Sequence, residues 1–445
     1  MPGREARPQK ADHIMARADA KLKPAKAARI GQAIASLDIG SSKITCLIGR
    51  FDPSSRAGFS FLGGGRQQSR GFTGGSIKDM EALERSIRLA VEDAEREAGE
   101  RIEQVVLGIT GPKVTCEFVA AAMDLGGREV TRKDMKKLHA MALGKVNPKQ
   151  REILSAHPVL YKLDDQEGIK DAAGMIGDKL SVLLSVITAP RSLVRNLVEC
   201  VGRAHLQVDR IIPSAVASGA GTLIDDEIEN GALCIDMGSG VTAACAFING
   251  SPAWLGLVPA GGSNVTGDLA QGIGTTFAAA ERMKTVHGTA DTASPGLAER
   301  IEVPRLGDDG RLNASRMARG ELAAIIAPRI EETFEYAAKM LAGSELKKIM
   351  PRRTVLTGGA SQLPGVRDIA SRVLQQPVRL GKPIEADILG ESHANPVFST
   401  AAGLLSYEFR GFVDVARAGS TSEAAGGPGG NGLLNKVFRW LSENF

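Results

Sequence analysis

The sequence predicts a mixed α/β protein built on a duplicated unit, with a smaller α/β unit inserted in its first half and an amphipathic helix at its C-terminal end. Three observations carry that reading. The stretch Leu37-Asp38-Ile39-Gly40-Ser41-Ser42 reappears 198 residues later as Ile235-Asp236-Met237-Gly238-Ser239-Gly240, each copy lying between two strand-like runs. Residues 112–207, between the copies, alternate strand and helix patterns of their own. The last 13 residues turn apolar after a low-complexity stretch.

A chain of 445 residues has room for two or three domains with sizeable cores. Its charge is unevenly placed. Residues 1–30 hold eight basic and three acidic side chains (+5), whereas the other 415 hold 47 basic and 48 acidic. A nearly neutral body excludes a broad nucleic-acid-binding face, which needs clustered cations to displace counterions. No run of 18 apolar residues occurs, so no membrane-spanning helix is expected. The charged N-terminus lacks the apolar core of a secretory signal. Five cysteines among apolar neighbours and six scattered histidines predict reduced core thiols in a cytoplasmic protein, without a His- or Cys-based metal site.

The elements follow in order. Residues 1–30 lack apolar periodicity and read as a disordered or transiently helical basic extension. Strand patterns at 34–37, 45–50 and 59–63 precede a helix at 79–97, whose Met80, Leu83, Ile87, Ala90 and Val91 share one face, and a strand at 104–108. The inserted unit holds a helix at 131–142, strands near 159–163 and 182–188, and a helix at 192–204. Strands at 232–236 and 241–249 repeat the opening arrangement. Helical sequence then dominates from 268 to 346, interrupted by an irregular Pro/Gly-containing stretch at 286–306. A strand at 354–356 runs into Thr357-Gly358-Gly359-Ala360-Ser361. Residues 411–432, low in complexity from 416, read as a flexible linker to the terminal helix, 433–445.

The duplicated loops carry the chemistry. Acid, glycine and hydroxyl in that order suit a phosphate clamp: glycine admits backbone N–H groups to phosphate oxygens, and Ser41, Ser42 and Ser239 add donors. Asp38 and Asp236 at the strand ends suit a hydrated Mg²⁺, and Lys43 supplies a point charge. One such loop by itself is usually only a turn; two in matching context, followed by a Gly-Gly turn, make a pattern. None of these residues has the arrangement of a catalytic nucleophile or general base.

These three elements in this order resemble the actin, Hsp70 and sugar-kinase ATPase superfamily. Within it the chain is most similar to the FtsA family of bacterial cell-division proteins. The likeness spans residues 32–410 and the C-terminal tip, and further rests on Pro213-Ser214-Ala215-Val216-Ala217-Ser218, on 261–270, on Ala280-Glu281-Arg282-Met283-Lys284, and on 395–405 as a second hinge helix. It implies an actin-like two-lobed ATPase fold with duplicated mixed-sheet domains, an FtsA-type inserted 1C subdomain and a C-terminal amphipathic helix. Residues 31–111 and 208–230 would form the first lobe, 112–207 the insert, 231–280 and 335–410 the second lobe, and 281–334 a 2B-like subdomain. ATP with Mg²⁺ would lie between Gly40, Ser41, Ser42 and Lys43 on one side and Gly238, Ser239 and Gly240 on the other. Gly262, Glu281, Lys284, Gly358 and Gly359 would face the nucleoside.

The resemblance further implies self-association into actin-like filaments, binding of the FtsZ C-terminal peptide through Arg319 and Arg316, contact with later divisome proteins, and a place on the cytoplasmic face of the inner membrane at the division site. Two departures bear on turnover. The second loop reads Gly238-Ser239-Gly240-Val241-Thr242-Ala243-Ala244, where the family usually has Gly-Gly-Gly-Thr followed by a polar or acidic residue. The hinge segment 213–218 lacks the Gln or acidic side chain that orients water in hydrolytic relatives. An ATP-binding adaptor with at most slow hydrolysis is therefore expected. A sugar-kinase-type enzyme or a pilus-type scaffold of the same fold are the alternatives.

At 100° per residue the terminal segment places Leu433, Leu434, Val437, Phe438, Trp440, Leu441 and Phe445 within an arc of about 160°, with Lys436 and Arg439 opposite. Tethered by a Gly-rich linker, such a helix reads as an interfacial membrane anchor too short to span the bilayer. The +5 extension either adds attraction to anionic lipid, roughly 1 kcal/mol per basic residue held near the surface, or is a solubilising arm.

Overall fold

The computed structural model describes residues 31–418, apart from 56 and 308; the basic extension and the terminal helix positions 433–445 lie outside the described residues. The chain opens with β1 (Ala33–Ile39), β2 (Lys43–Phe51) and β3 (Phe59–Gln68), the short strands β4 (Phe72–Thr73) and β5 (Ser76–Ile77), helix α1 (Met80–Ala98) and β6 (Gln104–Ile109). Asp79 caps α1, its carboxylate accepting from the Glu81 and Ala82 amides at 3.0 Å, and the helix stops at Gly99. Its face Leu83, Ile87, Ala90, Val91 and Ala94 is buried in the first core, the i, i+4 spacing that the sequence displays.

The insert comprises β7 (Thr115–Glu129), α2 (Arg132–Leu143), β8 (Arg151–Leu163), β9 (Gln166–Ile169) and β10 (Ile176–Pro190), its strands in the order β7-β10-β8-β9. The chain returns through α3 (Arg191–Arg203), β11 (Gln207–Pro213) and α4 (Ser214–Thr222). The second lobe follows as β12 (Ala232–Met237), β13 (Thr242–Ile248), β14 (Ser251–Val258), α5 (Gly262–Ile273), α6 (Phe277–His287), β15 (Arg300–Leu306), β16 (Leu312–Ala318) and α7 (Arg319–Ala342). It closes with β17 (Thr354–Thr357), α8 (Val366–Leu374), β18 (Val378–Leu380), α9 (Ser399–Ser406) and α10 (Val415–Ala418).

Strand order reveals a duplication deeper than the two loops. The first sheet runs β11-β6-β1-β2-β3 and the second β18-β17-β12-β13-β14. In each, an antiparallel meander is extended by two parallel strands from its first member. Asp38 stands in register with Gly108 of β6, and Asp236 with Thr357 of β17. Helix α4, which directly follows the edge strand β11 of the first sheet, and α9, which comes after the edge strand β18 of the second, pack on each other between the sheets. They approach through glycine: a methyl on Gly403 would fall 1.8 Å from the Ala217 carbonyl oxygen, and one on Gly221 would fall 2.4 Å from that of Ser399.

Four features differ from the sequence expectation. Residues 300–318, expected to be irregular and then helical, form the antiparallel β15–β16 hairpin; buried Ile301, Val303 and Met317 alternate with exposed residues on it. Strands β7 and β14, absent from the expected elements, are long edge strands of their sheets. The insert ends at Pro190 rather than 207: α3 buries Val194, Leu197 and Cys200 in the first-lobe core. The linker expected from 411 is instead packed as far as Ala416. Val415 joins the core of the insert, and the Asp414 carboxylate accepts from the Ala156 amide at 3.0 Å and pairs with Arg210 at 2.9 Å. The insert also closes on the second lobe, where Phe118, Val159, Leu160 and Leu183 share one core with Trp254 of β14.

Candidate functional site

The two hairpin loops face each other across a cavity of about 840 Å³, a volume suited to a small-molecule ligand. Its wall carries Asp38, Gly40, Ser41, Ser42 and Lys43 from the first lobe and Asp236, Gly238, Ser239 and Gly240 from the second. Gly262, Glu281, Lys284, Gly358 and Gly359 line it as well. Every nucleotide-site residue expected from sequence is thus in one cavity. Arg316 and Arg319 lie apart from it, Arg316 exposed on β16 and Arg319 opening α7, where its Nε donates to the His287 carbonyl at 2.9 Å.

The loops are built alike. Gly40 N donates to Lys43 O and Gly238 N to Val241 O, both at 3.0 Å, so each glycine amide is consumed by its own turn. The donors left for a ligand are those that follow, on Ser41, Ser42, Ser239 and Gly240. The second loop is braced from behind: Gly262 N donates to Gly238 O at 3.0 Å, while Ser263 N and Oγ donate to Ser239 O at 2.8 and 2.7 Å. Ser41 Oγ accepts from the Gly74 amide at 3.0 Å and faces Gly240, where an added methyl would stand 2.6 Å from it. The two loops touch across the lobe interface here.

The acids differ in their supports. Asp236 accepts from Thr400 Oγ1 of α9 at 2.9 Å and from Ser218 Oγ of α4, so both hinge helices hold one carboxylate oxygen. Burial pushes the Asp38 carboxyl up to about 7, the charge of Asp236 adds to the effect, and Lys43 opposes it. Burial likewise draws the Lys43 ammonium down to about 8, against the pull of Asp38 and Asp236. Two carboxylates and one ammonium in an enclosed space form an electrostatically unsettled cluster, of the kind found at functional sites. On the far wall Lys284 Nζ donates to Gly262 O at 2.9 Å, Thr266 Oγ1 at 2.8 Å and Glu281 Oε2 at 2.7 Å. This bracing ties α6 to the first turn of α5.

Sequence reasoning missed Ser214, Ser218, Thr400, Arg66, Gln68 and Thr73 around the acids and in the cavity wall. Ser214, Ser218 and Thr400 lie in the two segments read as hinge helices, which is the signal that points to them. Arg66 and Gln68 arrive through β3, whose register with β2 no local pattern displays, and Thr73 through the short strand β4 that follows it.

Two mirrored five-stranded sheets, crossing helices between them and two facing Gly/Ser loops define a two-lobed, actin-like ATPase fold. The structure resembles that of the PilM–PilN type IV pilus biogenesis complex (TM-score 0.58, 16% identity, covering 85% of this chain and 98% of that one). The family model for cell division protein FtsA matches residues 233–403, and that for the SHS2 domain inserted in FtsA matches 111–188. Cell division protein FtsA of Rhizobium meliloti is 38% identical over 96% of this chain and 97% of its own length. Those of Neisseria meningitidis serogroup B and Escherichia coli K12 are 34% and 31% identical, each over 93% of this chain and 98% of their own. The chain belongs to the FtsA family.

Proposed function

We propose that this cell-division protein binds ATP with Mg²⁺ between its lobes, polymerises as an actin-like filament and tethers FtsZ to the cytoplasmic membrane. The observation that carries the nucleotide reading is the pair of identically turned Gly/Ser loops facing each other across one cavity, with Lys43 and two carboxylates between them. Gly40–Lys43 and Gly238–Gly240 would hold phosphates; Glu281, Lys284, Gly262, Gly358 and Gly359 would bound the nucleoside. No group of three or more His, Cys, Asp or Glu side chains that could by itself hold a metal ion occurs among the described residues. The mutual repulsion of Asp38 and Asp236 suits a divalent cation that keeps most of its water, which is the habit of Mg²⁺. Bound there, the ion would neutralise phosphate charge.

The tether rests on the amphipathic segment 433–445, and no helix among the described residues is long and apolar enough to cross a membrane. Arg316 and Arg319, near the β15–β16 hairpin, are the candidates for the acidic FtsZ C-terminal peptide. Assembly on the membrane would then present the molecule to later divisome proteins at the septum. Turnover of ATP would be slow, because no acid or amide side chain stands at the start of α4.

Equilibrium titration with Mg²⁺–ATP tests the central claim. The wild-type chain is expected to bind saturably and K43A about ten-fold or more weakly, the loss of one charge-assisted contact. Equal affinity in the two proteins overturns the assignment of the cavity.

A further inference from the structure

The start of α4 is built as a ligand site that none of the family's two-loop pattern accounts for. Ser214 Oγ is buried (the residue is 6% exposed), lines the cavity, and has no hydrogen-bond partner among the described residues. A buried hydroxyl without a partner forfeits the free energy of the water it left, so its position calls for a ligand. Ser214 is also the first residue of a nine-residue helix that no side chain among the described residues caps, and the residue ahead of it is Pro213. The N–H groups of its first turn therefore lack a side-chain acceptor and carry the positive end of the helix dipole.

Two neighbours define what fits. Gly108 lies between β1 and β11: a methyl there would stand 3.1 Å from Ser214 Oγ and 3.4 Å from Asp38 Oδ1, so these two oxygens converge over a residue with no side chain. The middle of the helix is held in place. Ser218, one turn on, donates to Asp236 Oδ2, and Thr400 Oγ1 of α9 reaches the same oxygen. A donor hydroxyl, an uncapped helix start and a fixed mount together make an anion subsite on the first-lobe side of the acids.

We propose that Ser214 Oγ and the first turn of α4 bind the terminal phosphate of a nucleoside triphosphate, making Ser214 the residue by which the cavity distinguishes a triphosphate from a diphosphate. The inference rests on the nucleotide reading above. It assigns the terminal phosphate a third set of donors besides the two loops. Because α4 is pinned to Asp236, the contact spans the lobe interface.

The test measures dissociation constants for Mg²⁺–ATP and Mg²⁺–ADP on the full chain, its S214A variant and its S214T variant. The S214A change removes no intramolecular hydrogen bond of the described chain. It is expected to lower the ratio of ATP to ADP affinity about ten-fold, as for loss of a hydrogen bond to a charged group, and S214T, which keeps the hydroxyl, is expected to restore it. An unchanged ratio in S214A overturns the proposal, whether affinities stay the same or fall together. An unchanged ratio with slowed ATP hydrolysis overturns it too, by placing water rather than phosphate on Ser214. A wild-type chain that binds neither nucleotide removes the nucleotide reading as well; one that binds ATP while S214A keeps its ratio removes only this inference.

Discussion

Gly358 sits at φ +89°, and a methyl on it would lie 2.2 Å from Asp236 Oδ1 and 2.6 Å from the Met237 carbonyl. Both the backbone region and the space exclude a side chain. Replacing it by alanine must move the loop or the acid, at a cost of roughly 1–3 kcal/mol. G358A is expected to melt at lower temperature and to lose ATP binding, checked by calorimetry and titration; unchanged binding would mean that the Asp236 position is immaterial. A second residue-scale effect lies in the insert. His139 donates to or accepts from Tyr161 Oη at 2.6 Å, and burial lowers its imidazole to about 4 from an ordinary 6.5. The unfolded chain binds this proton first, so the folded state loses stability as pH falls from about 6.5 toward 4. Urea unfolding across that window should show the loss, and H139Q should flatten it.

Among the elements, the crossing of α4 and α9 is the tightest. The Gly403 position has no room even for a methyl against the Ala217 carbonyl. G403A is expected to destabilise the chain by about 3 kcal/mol through overpacking, read from chemical denaturation, and to disturb both hydroxyls that hold Asp236. Much at this scale was legible beforehand. Helix α1 announces itself by its Asp79 cap and its apolar stripe, and the two Gly/Ser hairpins by their repeated sequence. The β15–β16 hairpin was not, because Arg300–Leu306 carries a proline and three charged residues and earns its strand form only from the buried side of the second lobe. Nor was the packed strap at 412–416. Its anchors are Arg210 and Ala156, some 200 residues or more away in sequence.

For the molecule as a whole, the proposed function would divide between the neutral body and the charged or apolar ends of the sequence. The insert packs on both lobes and receives the strap that leads towards the C-terminal segment, so the proposed membrane tether begins on the insert rather than on the hinge. Co-sedimentation with anionic vesicles should pellet the intact chain and leave one ending at Gly432 in the supernatant. Equal pelleting of the two forms would remove the tether. Binding that weakens with added salt would implicate Lys436, Arg439 and the +5 extension.

The sequence by itself determined the duplicated loops, their glycines, serines and acids, the insert between them and the amphipathic end. These are local facts, set by backbone geometry over a few residues and by helical or strand periodicity. Only the tertiary structure decided which side chains converge: that two hinge helices grip Asp236, that β3 brings Arg66 and Gln68 to the cavity, and that Ser214 stands there without a partner among the described residues. Those are consequences of strand order and helix crossing, which depend on burial and register between segments far apart in the chain.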